Sequence, residues 1–159
     1  MSKQVMSHGV PGGLIAAAAR CWLHTPYHHQ AAQRDLGTDC LGLLRGIWRE
    51  FQSNEPTQVP PYTSSWRERG GKDRLLVAAQ RYLVEIDDAC TGPGDVLLFR
   101  FTAQAVAKHV GISLGRDRFI HAHESAGVCL TDWTNWWAQR RIATFRFPFN
   151  AAVTHSWLR

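Results

Sequence analysis

The spacing of apolar residues changes once along the chain, and this change restricts the fold more than any other feature of the sequence. Up to about residue 83, apolar side chains recur at intervals of three and four, which is typical of helices that bury one face. After the turn signal Gly92-Pro93-Gly94, short alternating runs replace them and predict strands. Helices followed by consecutive strands predict an α+β fold with an antiparallel sheet. Neither half carries enough apolar surface to fold alone, so we expect one domain over residues 1–159.

Three amphipathic helices are expected in the first half of the chain. The first covers residues 14–22 and is stopped by Thr25-Pro26, because proline cannot continue a helix. The second covers about 40–52, where Gly42 and Gly46 indicate the close approach of another element. The other expected features are a loop over 27–39, an irregular excursion over 53–71 and a third helix with Leu75, Leu76, Ala79, Tyr82 and Leu83 on one face.

The second half is expected to form the sheet. Val, Ile and Phe dominate its apolar runs, which is typical of strands. A cluster of tryptophans before the last run predicts one short helix. The expected elements are strands at 95–101, 108–114, 118–123, 126–130 and 141–147, and a helix containing Trp133, Trp136 and Trp137.

The net charge of the chain indicates which classes of binding partner it favours. The formal net charge is +5, which favours an anionic polymer such as nucleic acid, an acidic membrane surface or bacterial cell wall. No dense basic run or nucleic-acid motif is present, so we predict no nucleic-acid partner. The apolar stretch 14–19 is too short to span a membrane and lacks the flanks of a signal peptide. We therefore expect synthesis without secretory export, and no membrane span. The bacterial cytoplasm as the place of synthesis is implied only by the resemblance described below.

One of the four cysteines stands in a position suited to catalysis. Cys40 opens the second helix, while Cys21 and Cys129 fall in apolar segments and are predicted to be buried. No C-x-x-C pair is present, and the chain is too long and apolar to need a disulfide framework. A helix N-terminus and a nearby imidazolium both stabilise a thiolate, so we expect a lowered pKa for the Cys40 thiol.

Two later histidines complete the pattern of a thiol nucleophile with a base and an orienting partner. Alternation along the strand places His109, Gly111 and Ser113 on one face, and the glycine is expected to leave space for a helix end or a substrate. In the next strand, His121 and His123 share a face, so one of them is expected to lie within hydrogen-bonding distance of His109.

Five short motifs, in order and spread over nearly the whole chain, resemble the NlpC family of cell-wall cysteine peptidases. Those encoded with phage and gene-transfer-agent tail genes look most similar, through a Pro-Tyr-x-His-Gln loop and a Cys-Leu-Gly-Leu helix start. Departures are Leu41, where many members have Ser, and His28-His29-Gln30, where a Gly-rich turn is common. The motifs are Pro26-Tyr27, Asp39-Cys40-x-Gly42, Pro93-Gly94-Asp95, His109-Val110-Gly111-Ile112 and Phe119-Ile120-His121-Ala122.

The resemblance implies a papain-like fold, in which helices carrying the cysteine pack on an antiparallel sheet carrying the histidines. It also implies cleavage of peptidoglycan stem peptides, typically between D-glutamate and a diamino acid, without a cofactor or metal. The implied partners are peptidoglycan and phage-like tail proteins, with action in the periplasm or cell wall from a particle tail. The roles that it implies are Cys40 as nucleophile, His109 as base, His121 as orienting residue with His123 as its rival, and Tyr27 near the oxyanion. From its position, Asp39 is expected to cap the helix or to orient loop amides, and His28 and His29 are expected on the loop surface or, alternatively, lining the cleft.

Two other functions remain open from the sequence. A zinc hydrolase would use the pair His121-x-His123 together with His109 and Cys40 as ligands, although no H-E-x-x-H or C-x-x-C spacing supports it. A non-catalytic wall-binding tail protein would suit the seven tryptophans and the basic charge. It would leave a helix-start cysteine matched to two strand histidines unexplained.

Overall fold

The computed structural model describes residues 9–60, 62 and 73–149, and these follow the expected order of helices and then strands. A short 3₁₀ turn at Asp88–Cys90 precedes the main strands. The helices are α1 (Gly12–Arg20), α2 (Cys40–Phe51), α3 (Arg74–Tyr82) and α4 (Asn135–Ala138). The strands are β1 (Ala32–Gln33), β2 (Gly37–Thr38), β3 (Val84–Ile86), β4 (Val96–Phe99), β5 (His109–Ser113), β6 (Arg118–His123), β7 (Gly127–Asp132) and β8 (Arg141–Arg146).

Six of these strands form one antiparallel sheet in the order β3-β8-β4-β5-β6-β7. Strands β4 to β7 follow one another as a meander, because the connections between them are short. β8 pairs with the edge of β4 that faces away from β5. β5 lies inside the sheet, because β4 and β6 flank it. The predicted α+β fold class is confirmed.

Helices α1, α2 and α3 cover one face of the sheet. The apolar stripe of α2, including Leu43 and Ile47, packs with Trp22 against Val110 and Ile112 of β5. Burial of such side chains contributes about 2 kcal/mol each. Gly46 admits the Trp22 ring, since a Cβ built there would lie 2.1 Å from it. The predicted close approach at the α2 glycines is confirmed.

The opposite face of the sheet carries a second, smaller core. Leu97, Phe99 and Phe119 are almost fully buried there under Trp133 and Trp137. The two tryptophans come from α4 and the turn before it, which fold across this face. At these two positions, the tryptophans are packing residues.

Several local expectations are wrong. Residues 27–39 contain the β1–β2 hairpin rather than a loop, and strand β3 was not expected. Strands of two or three residues are too short to show an alternating pattern. Cys21 is exposed, because it follows the last turn of α1 and lies off its buried stripe, and Cys129 is only half-buried.

The excursion predicted over 53–71 lies partly outside the described residues. Among the helices that the structure describes, none combines the length and apolar character needed to cross a bilayer.

Candidate active site

Asp39 fixes the start of α2 and therefore the position of Cys40. Its Oδ1 accepts a hydrogen bond from the backbone N–H of Gly42 at 2.7 Å, which caps the helix. Its Oδ2 accepts from the backbone N–H of Gln30 at 2.8 Å and so holds the preceding loop against the helix start. The carboxylate is almost fully buried. Asp39 is thus both the predicted helix cap and a loop anchor.

The Cys40 thiol lies between the start of α2 and the start of β5. The backbone N–H groups of Val110, Leu41 and Cys40 itself act to lower its pKa, and Val110 directly follows His109. These N–H groups favour the thiolate, but burial and the adjacent Asp39 carboxylate outweigh them and raise the thiol pKa to about 12. The expected low pKa is therefore wrong for this structure, in which the buried thiol is protonated at neutral pH.

His109 and His121 form a buried pair on the sheet. His109 Nε2 and His121 Nδ1 share a hydrogen bond of 2.7 Å, although the two residues are twelve positions apart. His109 opens β5 beside β4, and His121 stands in the middle of β6. Since Nε2 of His109 is engaged with His121, Nδ1 is the ring nitrogen of His109 that this bond leaves available. The predicted contact between His109 and a second histidine is confirmed.

Both imidazoles are neutral at neutral pH. Burial lowers the pKa of His109 to about 3, with smaller contributions from His121, His123 and Lys108. Burial also lowers the pKa of His121 to about 4, with a smaller contribution from His123. A neutral imidazole is the form that can accept a thiol proton during nucleophilic attack.

His123, the alternative to His121, makes different contacts. It is exposed at the end of β6, and its Nδ1 accepts a hydrogen bond from the backbone N–H of Ser125 at 3.1 Å. Its ring centroid lies 6.1 Å from that of His121. The geometry therefore places His121, rather than His123, against His109.

Gly111 does not leave the space that its position suggested. A Cβ built on Gly111 would lie 2.7 Å from the Phe119 ring, so this ring occupies the space beside the glycine. Phe119 contacts His121 in turn, with 4.9 Å between ring centroids. Gly111 thus serves the packing behind the histidine pair and leaves no room there for a substrate.

The loop before α2 brings one tyrosine close to the thiol. Tyr27 and Thr38 form an isolated backbone β-bridge. Burial, and to a smaller extent the nearby Cys40, raises the pKa of Tyr27 to about 12. His28 is exposed and lies over Gly37. Nδ1 of His29 lies 3.9 Å from Oδ2 of Asp39. Tyr27 and His29 therefore border the site, whereas His28 packs on the β1–β2 hairpin.

Tyr62 is a site residue that the sequence did not indicate. Its hydroxyl donates to Oδ2 of Asp39, and its backbone carbonyl accepts from the side chain of Gln30. The same carbonyl lies 2.7 Å from Nε2 of His29. Burial and the bond to Asp39 raise the Tyr62 pKa. Since 23 positions separate Tyr62 from Asp39, no local pattern could have indicated this contact.

Aromatic rings and one hydroxyl enclose the histidine pair. Trp137 contacts both rings, at centroid distances of 6.1 Å from His109 and 5.2 Å from His121. Phe101 lies 5.6 Å from the His109 ring. On the far side, Nε2 of His121 is hydrogen bonded to Thr131 Oγ1 at 2.8 Å. The alternation of β7 places Thr131 on this face, but the sequence could not supply the register that brings it to His121.

The donor set required by the zinc hypothesis does not converge. Within residues 9–60, 62 and 73–149, no group of three or more His, Cys, Asp or Glu side chains is placed to hold a metal ion. His123 in particular turns to Ser125 rather than joining the other imidazoles. The geometry therefore favours thiol chemistry over zinc chemistry.

Helices that carry a thiol at a helix start, packed on an antiparallel sheet that carries a histidine pair, define the papain-like class of cysteine-peptidase folds. The chain belongs to the NlpC/P60 family, whose sequence pattern matches residues 24–146. The family resemblance and the predicted papain-like fold are thus confirmed.

Two relatives from Escherichia coli K12 illustrate the similarity. The chain is 30% identical over 128 residues to the probable endopeptidase NlpC, covering 76% of this chain and 71% of NlpC. It is 28% identical over 105 residues to MepS, a murein DD-endopeptidase and LD-carboxypeptidase, covering 65% of this chain and 46% of MepS. The chain spans about half the length of MepS.

Solved structures share the fold. The NlpC/p60 domain of the peptidoglycan hydrolase SagA superposes with a TM-score of 0.63 and 22% identity, over 87% of this chain and 100% of that domain. An NlpC/P60 family protein from Bacillus cereus ATCC 10987 gives a TM-score of 0.64 and 18% identity, over 87% of this chain and 41% of that protein.

Proposed function

We propose that this protein is a cysteine endopeptidase that hydrolyses peptide bonds in peptidoglycan stem peptides. The observation that carries the proposal is the buried thiol of Cys40 at the start of α2, together with His109, whose imidazole is hydrogen bonded to His121. The names of the relatives, a murein endopeptidase and a probable endopeptidase, support peptidoglycan as the substrate. The net charge of +5 suits an anionic cell wall.

The first half-reaction transfers an acyl group to the thiol. Nδ1 of His109 accepts the Cys40 proton as sulfur attacks the scissile carbonyl carbon. The negative charge on the carbonyl oxygen is stabilised by the Cys40 backbone N–H and the Tyr27 hydroxyl, and one such donor contributes about 3 kcal/mol. His109 then gives its proton to the leaving amine, which leaves a thioester on Cys40.

The second half-reaction releases the product. His109 takes a proton from water, whose oxygen attacks the thioester carbonyl, and then returns that proton to the departing sulfur. In this mechanism, Nε2–H of His109 donates to Nδ1 of His121 along their 2.7 Å hydrogen bond, which stabilises the imidazolium when it forms. His121 thus orients the imidazole of His109, which is the role of the aspartate or asparagine in other catalytic triads.

The bond proposed is that between D-glutamate and the diamino acid of the stem. The motifs around Cys40 and His109 support this, through their resemblance to family members with that specificity. The setting proposed is the tail of a phage or gene-transfer agent, where the enzyme opens the wall during entry. The resemblance of the Cys40 helix to tail-encoded peptidases supports the setting, and detection of the chain in purified particles from the producing cell would test it.

The decisive experiment digests purified sacculi and defined muropeptides and identifies the fragments by mass spectrometry. We expect wild type to release fragments with a new D-glutamate carboxyl terminus, and Cys40→Ala to release none. Cys21→Ala, which removes an exposed thiol at the end of α1, is the matched control and should keep full activity. Equal digestion by wild type and Cys40→Ala would disprove the peptidase function. Inhibition by a chelator but not by iodoacetamide would favour the zinc hydrolase, and binding of sacculi without fragments would favour a wall-binding protein.

A further inference from the structure

The hydrogen-bonded chain behind the thiol does not end at His121. We infer that Thr131 is a positioning residue, which through His121 holds His109 in the tautomer that can accept the Cys40 proton. Thr131 Oγ1 lies 2.8 Å from Nε2 of His121, whose Nδ1 lies 2.7 Å from Nε2 of His109. This inference rests on the proposed function, because the tautomer matters only if His109 is the base.

The register of the sheet brings the three side chains together. Thr131 of β7 pairs with Phe119 of β6, and His121 pairs with Cys129, so Thr131 and His121 are diagonal neighbours on one face. Diagonal neighbours are close enough for a ring to bridge the distance to a short side chain. A shift of one residue in this pairing would send the hydroxyl to the other face.

The direction of the hydrogen bonds determines which nitrogen of His109 is free to act. A neutral imidazole has one N–H, and the other nitrogen is an acceptor. If His109 carries its proton on Nε2 and donates to His121, then Nδ1 is bare and can receive the thiol proton. His121 must then carry its own proton on Nε2, and that proton needs an acceptor. Thr131 Oγ1 is in place to accept it.

The opposite arrangement disables the base. If His121 donated from Nδ1 to His109, then His109 would carry its proton on Nδ1 and could not accept one from the thiol. Nε2 of His121 would then be an acceptor, and the Thr131 hydroxyl could donate a hydrogen bond to it. Cys129 Sγ lies 3.8 Å from Thr131 Oγ1 and provides an alternative acceptor for the hydroxyl proton, which leaves an oxygen lone pair for His121.

The surroundings make the hydroxyl hard to replace. Phe119 and Trp137 flank the His121 ring at centroid distances of 4.9 Å and 5.2 Å, and only 2% of His121 is exposed. Without the hydroxyl, an Nε2–H on His121 would be left without a partner in this enclosed site, at a cost to the productive tautomer.

The kinetic test compares Thr131→Val, Thr131→Ser and a control, Thr134→Val, in the full chain on a defined muropeptide. Valine keeps the branched shape and removes the hydroxyl, while Thr134 is exposed and makes no capping hydrogen bond. We expect Thr131→Val to lower kcat roughly five- to tenfold with little change in KM, which is the effect of losing one hydrogen bond to the base relay. Thr131→Ser should restore kcat to within about twofold of wild type, and the control should match wild type.

Nitrogen NMR of the imidazoles in the resting protein gives a readout independent of activity. We expect both His109 and His121 to carry their proton on Nε2 in wild type, and both tautomers to be populated in Thr131→Val. A wild-type His109 protonated on Nδ1 would overturn the inference, as would an unchanged tautomer pattern in Thr131→Val. If wild type proves inactive on every muropeptide, the proposed function fails, and the NMR pattern still decides whether Thr131 sets the tautomers.

Discussion

Replacement of Gly42 by alanine is expected to destabilise the protein and to disturb the position of the thiol. A Cβ at this position would lie 1.9 Å from the carbonyl oxygen of Ala31 and 2.6 Å from Oγ1 of Thr38. Ordinary carbon–oxygen contacts are about 3.3 Å, so one side must move by more than about 1 Å. The Ala31 carbonyl cannot move freely, because it accepts a hydrogen bond from the Asp39 N–H at 3.2 Å.

The magnitude follows from two opposing effects. Alanine in place of glycine gains about 1 kcal/mol of helix propensity. Overpacking against backbone costs about 1–3 kcal/mol or more, and here it also strains the hydrogen bonds that hold Asp39. Because the nearest atom is backbone, the upper end of that cost applies, and after the propensity gain we expect Gly42→Ala to lower the free energy of unfolding by about 2 kcal/mol. Since Cys40 lies two residues away, a shift of about 1 Å there is expected to lower kcat by up to about 100-fold.

The assay is urea unfolding together with muropeptide hydrolysis, and α1 supplies the matched control. Gly13 is also a helical glycine, but a Cβ built on it would meet nothing within 4 Å. Gly13→Ala should therefore leave kcat unchanged and either preserve stability or raise it by up to about 1 kcal/mol. If Gly42→Ala unfolded at the wild-type urea concentration and kept wild-type kcat, the contact argument at the start of α2 would be refuted.

Four further predictions concern the titrating groups of the site. His121→Asn should retain more activity than His109→Ala, because asparagine can still accept from Nε2–H of His109; equal and complete loss would contradict the orienting role. The folded-state pKa values of His109 and His121, about 3 and about 4, lie below their ordinary value of 6.5. Unfolded chains therefore bind more protons, and stability measured by urea unfolding should fall from pH 6.5 toward pH 3, by at most about 1.4 kcal/mol per pH unit for each histidine. The pKa of Cys40 is raised rather than lowered on folding, from 9.0 to about 12, so folded chains bind more protons in this range. The contribution of the protonated thiol to stability should therefore be present below pH 9 and be lost as the pH rises toward 12. Asp39→Asn should shift the pH dependence of Cys40 alkylation to lower pH while lowering stability by about 1–3 kcal/mol, since an amide cannot accept at both of its ends; an unchanged alkylation profile would contradict the charge effect, and Asp35→Asn, at an exposed aspartate, is the control.

The start of α2 shows how far local sequence can lead. Asp39 followed by an apolar stripe predicts a capped helix with Cys40 in its first turn, because capping and helical periodicity involve only neighbours within a few residues. Alternation along two successive strands likewise predicts that His109 can meet a histidine of the next strand. These parts of the fold and the site follow from short-range rules.

Other parts of the site depend on contacts that no short-range rule contains. The choice of His121 over His123 depends on where β5 and β6 pair, and this register is set by the packing of both sheet faces. The contact between Tyr62 and Asp39 joins residues that are far apart in the chain. The space beside Gly111 is filled by Phe119, which only the relative position of two strands reveals.

The order of helices and strands, the thiol at a helix start and the family of the chain can be predicted from the amino-acid sequence, because each depends on local spacing and motif order. The protonation of the site, in contrast, depends on the tertiary structure. A helix N-terminus alone would lower the pKa of the Cys40 thiol, but the folded chain buries that thiol beside Asp39 and raises its pKa instead. Burial likewise keeps His109 neutral. Desolvation depends on everything packed around a group, so it exists only once the whole chain has folded.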